Sequence, residues 1–367
     1  MSTTHSLQHA VWWTWIMPLG ALALAAAKFA HLIDPEQGVI VVIAAVFLLG
    51  AVFSAVHHAE VVAVKVGEPF GSILLAVAVT VIEVALIVSM MASATNGNTA
   101  LARDTVFSAV LIVLNGVVGM CLLVGGARYR EQSFKSEGTA SALSVLATLA
   151  VLTMVLPNFT VTKLGPQYSP IQLVFIGVLS LILYAVFIFV QSIRHRDYFL
   201  PDAVDGLEAD EVEPPSAWIT ALSAVLLPLS LIGVVLLAKT LSPAIEASVE
   251  AAGLPTTFIG VVIAALVLLP EGFAAVIAAR ANRIQTSLNL ALGSAIASIG
   301  LTIPVVAAVS LYLGQELTVG LGMEEMALLL LTLFVSSLTL ASGRATILQG
   351  AVHLVIFGVF LLLAAVP

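Results

Sequence analysis

Two glutamates stand where a carboxylate is costly. Glu83 lies in AVAVTVIEVALIVSMM and Glu271 in GVVIAALVLLPEGFAAVIAA, each bracketed by apolar residues over several turns. An ionised acid at such a depth in a bilayer costs roughly a few kcal/mol, so it is a functional hypothesis by default. Steps of three or four residues put Thr80, Ala76 and Ser72 on one stripe with Glu83. The same steps put Val267, Ala264, Gly260, Ala275 and Ala278 with Glu271. Small stripes are where helices approach closely, so both carboxylates are expected to face protein rather than lipid. No Lys or Arg lies within either apolar run to pair with them.

If the two acids meet at mid-membrane, they supply hard oxygen ligands and two negative charges. That suits Ca2+ and, less selectively, Na+ or K+. When the cation leaves, two carboxylates close together in a low dielectric cannot both stay ionised, and at least one proton binds. Cation and proton then compete for the same oxygens. Behind these acids, Asn289, Gly293, Ala297, Gly300 and Pro304 form one stripe, with Ser294 and Ser298 beside it; Ser108, Asn115 and Gly119 share a face of another run.

The histidines are the other chemically able residues. His57 and His58 are followed by Glu60 and Glu68. A metal site wants three or more converging ligands, and no HxxH or HExxH pattern appears. The favoured reading is an interfacial proton entry or a structural role. His353 lies deeper, in the last apolar run, and either hydrogen-bonds within the bundle or relays protons. His57 and His353 are thus the candidate proton path. Cys121, the one cysteine, is expected to be a small buried residue. Arg344 reads as an interfacial anchor, and Glu324 and Glu325 as interfacial acids.

The elements that carry these residues follow from composition. Of 367 residues 60% are apolar and 9% charged, and the mean hydropathy is +1.14. Apolar runs of about 18 or more residues are membrane-helix candidates. Eleven such spans are expected near 11–31, 38–58, 70–94, 104–125, 139–157, 170–192, 217–239, 256–279, 286–313, 324–341 and 345–366. Trp12, Trp13 and Trp15 mark an interfacial belt on the first, which is expected to be a retained helix rather than a signal peptide. Pro304 predicts a kink or break in the ninth span, and Pro69 and Pro270 mark two further interruptions.

With the N-terminus cytoplasmic, the inner set is Lys65, Arg128, Arg130, Lys135, Arg194, Arg196, Arg280, Arg283 and Arg344. The outer set is Lys28, Arg103, Lys163 and Lys239. The excess of cations inside favours that orientation and, after eleven crossings, an external C-terminus. Asp202, Asp205, Glu208, Asp210, Glu211 and Glu213 crowd one cytoplasmic segment, a solvated linker or a low-affinity cation attractor. The linker, 194–216, separates residues 38–193 from 217–367, with 1–37 as a leading helix. Five spans is an odd number, so a repeated five-helix unit enters the membrane in the opposite sense the second time. Inverted repeats with an ion site near midplane are a transporter plan, and Glu83 and Glu271 fall in the second span of each half. An intramembrane enzyme would need a metal or nucleophile motif that is not seen. A cation channel would need no proton coupling.

The segments GEPFGSILLAVAVTVIEVALI (67–87), LLPEGFAAVIAA (268–279), ALGSAIASIGLTIPVV (291–306) and RATILQGAVHLVIF (344–357) resemble the calcium/cation antiporters. Within that superfamily they are similar to the cation/proton exchanger branch and its bacterial ChaA-type members, from about residue 40 to the end. The resemblance implies eleven transmembrane helices, two inverted five-helix repeats and a leading helix. It implies export of Ca2+, or of Na+ or K+, against external protons across a bacterial inner membrane. It places the family's central acids on Glu83 and Glu271, the metal ligands of the transported cation. The family's glycine–asparagine pair is missing before Glu83, and Ala297 stands where a glutamine is expected. Asn115, Asn289, Ser294, Ser298 and Thr80 are the candidate auxiliary ligands. No organic cofactor, nucleic acid or catalytic residue is implied; a homo-oligomer is compatible with the pattern.

Overall fold

The computed structural model describes residues 11–34, 37–67, 70–93, 100–200 and 215–367. The acidic segment 202–213, with Glu68 and Pro69, lies outside the described residues, as does the side chain of Ser72. Val- and Ile-rich runs such as GVIVVIAAV favour strands in water. In hydrocarbon every backbone group must pair within its own segment, and such runs become helices.

Among the described residues eleven helical rods follow one another. They are α1 Trp13–Phe29, α2 Gly38–Val66, α3 Phe70–Ser93, α4 Leu101–Tyr129, α5 Ser136–Phe159 and α6 Pro170–Arg194, then α7 Ala217–Ala251, α8 Phe258–Arg280, α9 Ile284–Leu313, α10 Met323–Ala341 and α11 Ile347–Ala365. Nine of these helices are long and apolar enough to cross a membrane, and Trp13–Phe29 and Ile73–Ser89 are shorter apolar helices. Strands β1, Gln132–Ser133, and β2, Arg344–Ala345, pair antiparallel, Gln132 opposite Ala345. The fold is that of an all-α polytopic membrane protein.

Each rod takes up one expected span, with three differences. α2 and α7 run on to Val66 and Ala251, well past positions 58 and 239. Counting apolar residues stops at the first polar group, whereas a helix continues where its polar groups find partners. Lys65 Nζ donates to Pro215 O at 3.4 Å, and Ser242 Oγ to Glu246 Oε1 at 3.2 Å. The break expected at Pro304 is instead a wide π-helical turn, Ser298–Thr302, just before it, and α9 continues to Leu313. α8 likewise runs through Pro270.

The rods pack as two compact units that each draw on both halves of the sequence. The first holds α1, α2, α3 and α7; the second holds α4–α6 and α8–α11. Within each, the cations sort by end. In the first unit Lys28 Nζ donates to Thr240 Oγ1 at 3.3 Å, beside Lys239, whereas Lys65 lies at the opposite end of α2 from its start. In the second, Arg103 bonds Gly320 O at 3.1 Å and Lys163 pairs with Glu316 at 3.0 Å. Its other end gathers Arg128, Arg130, Lys135, Arg194, Arg196, Arg280, Arg283 and Arg344 around the small sheet. There Tyr129 OH donates to Arg280 O, Lys135 Nζ to Asp197 O, and Arg344 pairs with Glu131. The inner and outer sets of the sequence therefore fall at opposite ends of each unit.

Candidate functional site

In the first unit Glu83 is 4% exposed, with Thr80 buried one turn earlier on α3. The helix is held by α2 and α7. Gly71 permits the closest approach: a β-carbon there would lie 2.6 Å from Ala63 O of α2.

In the second unit both carboxylate oxygens of Glu271 are buried. α8 packs on α4 and α9. Gly260, on the Glu271 stripe, meets the α4 backbone so closely that a β-carbon would sit 2.7 Å from the carbonyl carbon of Asp104. Pro270 supplies no N–H, so Leu266 loses its usual partner one turn before Glu271. A carbonyl freed at this depth is an oxygen that a cation can use. Ser298 is buried in the wide turn of α9. Ser294 Oγ, one turn earlier, is buried with no hydrogen-bond partner among the described residues. α4 carries a matching mid-span π segment, Ile112–Val117. Such turns are rare, unmatch a carbonyl, and gather at functional sites.

Asn115 and His353, named separately from the sequence, are brought together. Asn115 Nδ2 donates to Thr332 Oγ1 at 2.9 Å, and its Oδ1 lies 3.2 Å from His353 Nδ1. His353 Nε2 lies 3.1 Å from Thr339 Oγ1, and all three helices meet with Asn115 and His353 fully buried. Asn289 is placed elsewhere, at the cation-rich end. Its Nδ2 donates to Phe199 O at 2.5 Å, its Oδ1 accepts from Gln285, and Gln285 in turn accepts from the Lys135 amide.

His57 and His58 lie in the first unit, ring centroids 5.4 Å apart, with Trp13 6.1 Å from His57. His58 Nε2 donates to Thr14 O at 3.1 Å, and its Nδ1 lies 3.0 Å from Ser223 Oγ. Among the described residues no three His, Cys, Asp or Glu side chains converge as a metal site. Cys121 is free and buried.

One acid was missed in the sequence. Asp104 is 3% exposed; its Oδ1 accepts from Arg103 Nη2 at 2.6 Å, and its Oδ2 has no hydrogen-bond partner among the described residues. Next to an arginine at a span boundary it reads as interfacial. The signal that could have marked it is Gly260, since only a close helix contact buries a first-turn acid.

Fold and site together define a multi-pass membrane protein with a buried mid-helix carboxylate in each compact unit. The sodium/calcium exchanger protein family matches residues 37–193 and 222–366, and the chain belongs to that family. A Sinorhizobium fredii relative, y4hA, named as an ionic transporter, is 53% identical over 363 residues, 98% of this chain and 97% of its own. The sodium-potassium/proton antiporter ChaA of Escherichia coli is 33% identical over 322 residues, 87% of each chain. The solved structure of native YfkE, a Ca2+/H+ antiporter, superposes with a TM-score of 0.73 at 17% identity, covering 96% of this chain and 100% of that one.

Proposed function

We propose that this protein is a secondary transporter of a bacterial plasma membrane. It exchanges cytoplasmic Ca2+, Na+ or K+ for external protons, with Glu83 and Glu271 carrying cation and proton in turn. The observation that supports this most is the placement of those acids. Each is buried in the second helix of a family-matched segment, and the only Lys or Arg on either helix is Arg280, the last residue of α8. A carboxylate at such a depth is costly to keep charged, and it is neutralised by whichever of proton or metal ion reaches it.

The relatives support the reaction class: ChaA is named for Na+, K+ and H+ and YfkE for Ca2+ and H+. Ca2+ prefers six to eight hard oxygens, and the candidates here are the two carboxylates, Thr80, Ser294, Ser298 and the Leu266 carbonyl, which Pro270 leaves without its usual donor. Inverted repeats are supported by a common pattern. The first helix of each half is over-long, at 29 and 35 residues; the second carries the acid; the third carries a mid-span π segment. Five helices per half then require opposite entry, and access alternates about the buried acids. A cytoplasmic N-terminus and an external C-terminus are the orientation that the excess of cations in the inner set supports.

The test is proton flux in inverted vesicles energised to an acid interior, on addition of Ca2+, Na+ or K+. Wild type is expected to dissipate the gradient with at least one of these ions, and Glu83→Gln and Glu271→Gln to abolish the response while remaining folded. No response from wild type to any ion sinks the exchange reading; a response retained in either variant removes that acid from it.

A further inference from the structure

The wide turn of α4 is held from outside its own helix. Its residues Ile112–Val117 include Asn115, whose Oδ1 faces His353 Nδ1 at 3.2 Å. The Asn115 amide nitrogen donates to Thr332, so Oδ1 is the acceptor and His353 Nδ1 must carry the hydrogen. Nε2 is then free to accept from Thr339 Oγ1. A neutral imidazole satisfies every group in the set, which is what a fully buried polar network requires. The approach that allows this is built from glycine: a β-carbon at Gly119 would lie 2.9 Å from His353 Cβ, and one at Gly350 2.4 Å from the Leu123 amide.

The same wide turn sets the seat of α8. Upstream of it, α4 meets Gly260 at Asp104 and Thr105; at its end, Val117 Cγ2 fills the space at Gly272, 3.3 Å from where a β-carbon would be. Gly272 directly follows Glu271. Collapsing a π turn into α-helix shifts the phase of one side against the other by one residue, about 100°. The contacts at Gly260 and at Gly272 cannot both survive such a rotation.

We infer that His353 is a positioning residue: its imidazole holds the wide turn of α4 open and, through Val117 and Gly272, holds Glu271 in place. The inference rests on Glu271 being an exchanging carboxylate. It makes His353 a fixed donor rather than a proton carrier, and Asn115 its partner rather than a ligand of the ion.

Two replacements separate the roles. Gln at position 353 keeps an N–H but does not titrate; Leu keeps bulk and has no donor. In vesicle exchange, His353→Gln is expected to keep the half-saturating cation concentration within about threefold of wild type, with the same pH profile. His353→Leu is expected to raise it about tenfold, a step of one hydrogen-bonded contact's size. Backbone hydrogen exchange across 112–117 gives a readout independent of transport: faster in the Leu variant, unchanged in the Gln variant. A Leu variant with wild-type saturation and protection overturns the inference. A Gln variant that loses exchange or shifts its pH profile also overturns it, by making His353 a titrating group. If the Leu variant does not fold, Asn115→Leu takes its place and is expected to show the same loss of protection; unchanged protection overturns the inference. If wild type shows no exchange, the function falls, and the protection data still decide whether His353 holds the turn.

Discussion

His58 in the first unit and His353 in the second use one device for different ends. Each is a buried imidazole that donates one N–H to an oxygen of another helix, at a place where that helix departs from its regular ladder. Pro18 has no N–H for the carbonyl of Thr14 four residues before it, and His58 Nε2 and Ser54 Oγ both donate to that oxygen, at 3.1 and 2.5 Å. In α4 the acceptor lies within the π segment itself, where His353 Nδ1 faces Asn115 Oδ1 at 3.2 Å. Each imidazole gives its second nitrogen to a hydroxyl, Ser223 or Thr339. The difference lies in what the braced helix touches. α1 carries no acid over its length and is packed by α2 and α7, whereas α4 abuts the helix of Glu271. A buried histidine is therefore read by the helix it braces before it is read as a relay.

The largest break in the comparison should come from the glycines that let these helices meet. In the first unit the neighbours of Gly20 and Gly50 are the side chains of Phe47 and Met17, which can turn away. In the second, Gly350 faces backbone, the Leu123 amide and Gly119 carbonyl, at 2.4 and 2.7 Å from a β-carbon. Gly350→Val is expected to destabilise by about 3 kcal/mol or to prevent folding, against about 1 kcal/mol for Gly50→Val. Thermal unfolding of the two purified variants checks this; equal losses would mean that the α4–α11 seam yields as easily as the α1–α2 seam.

Next in size is a cycle on Pro18 and His58. His58→Leu removes one donor from Thr14 O, and interhelical hydrogen bonds in membranes contribute roughly 0.5–2 kcal/mol. About 1 kcal/mol of stability should be lost with the half-saturating cation concentration unchanged, in contrast to His353→Leu. Pro18→Ala returns an N–H to that carbonyl, so in its background the His58→Leu loss should shrink, with a coupling of about 0.5–1 kcal/mol. Additive losses would show that the Pro18-vacated carbonyl is not what His58 serves.

These devices also mark how far the sequence could be read. Eleven helices, the order of the rods and the depth of Glu83 and Glu271 follow from apolar runs broken by two isolated acids, because hydrocarbon leaves the backbone no alternative to helix. The sorting of the cations by end was equally legible. Asn115 with His353 was not, since they are 238 positions apart and only packing joins them. The wide turns were not either: neither IVLNGV nor SIGLT carries a break signal of its own, and Pro304 pointed to a kink where α9 widens and continues. Asn289 looked equivalent to Asn115 on a helical wheel, but helical phase gives no depth, and the structure binds it to Phe199 at one end of the unit. The compact units, too, depend on which helices pair, and they divide each half of the sequence.

The smallest effect belongs to the ion pair between Lys163 and Glu316, and it tests whether burial is what gives the two histidines their weight. The pair spans 3.0 Å, but Glu316 is 65% exposed. The hydrogen bond and charge of Lys163 hold the Glu316 carboxyl below the ordinary glutamate range. A depressed carboxylate contributes stability above its unfolded pKa and loses it as pH falls through its folded one, so any contribution here vanishes on the acid side. Exposed pairs are screened and carry the entropy cost of fixing two long side chains. Lys163→Ala should therefore leave the unfolding temperature unchanged at neutral pH in physiological salt, with a small difference appearing only at low ionic strength. That difference should close as the pH is taken well below 4.5, the ordinary value for a glutamate. A loss at neutral pH as large as that of His58→Leu would show that contact geometry, and not burial, sets the scale, and the contrast drawn between the imidazoles and the surface would fail.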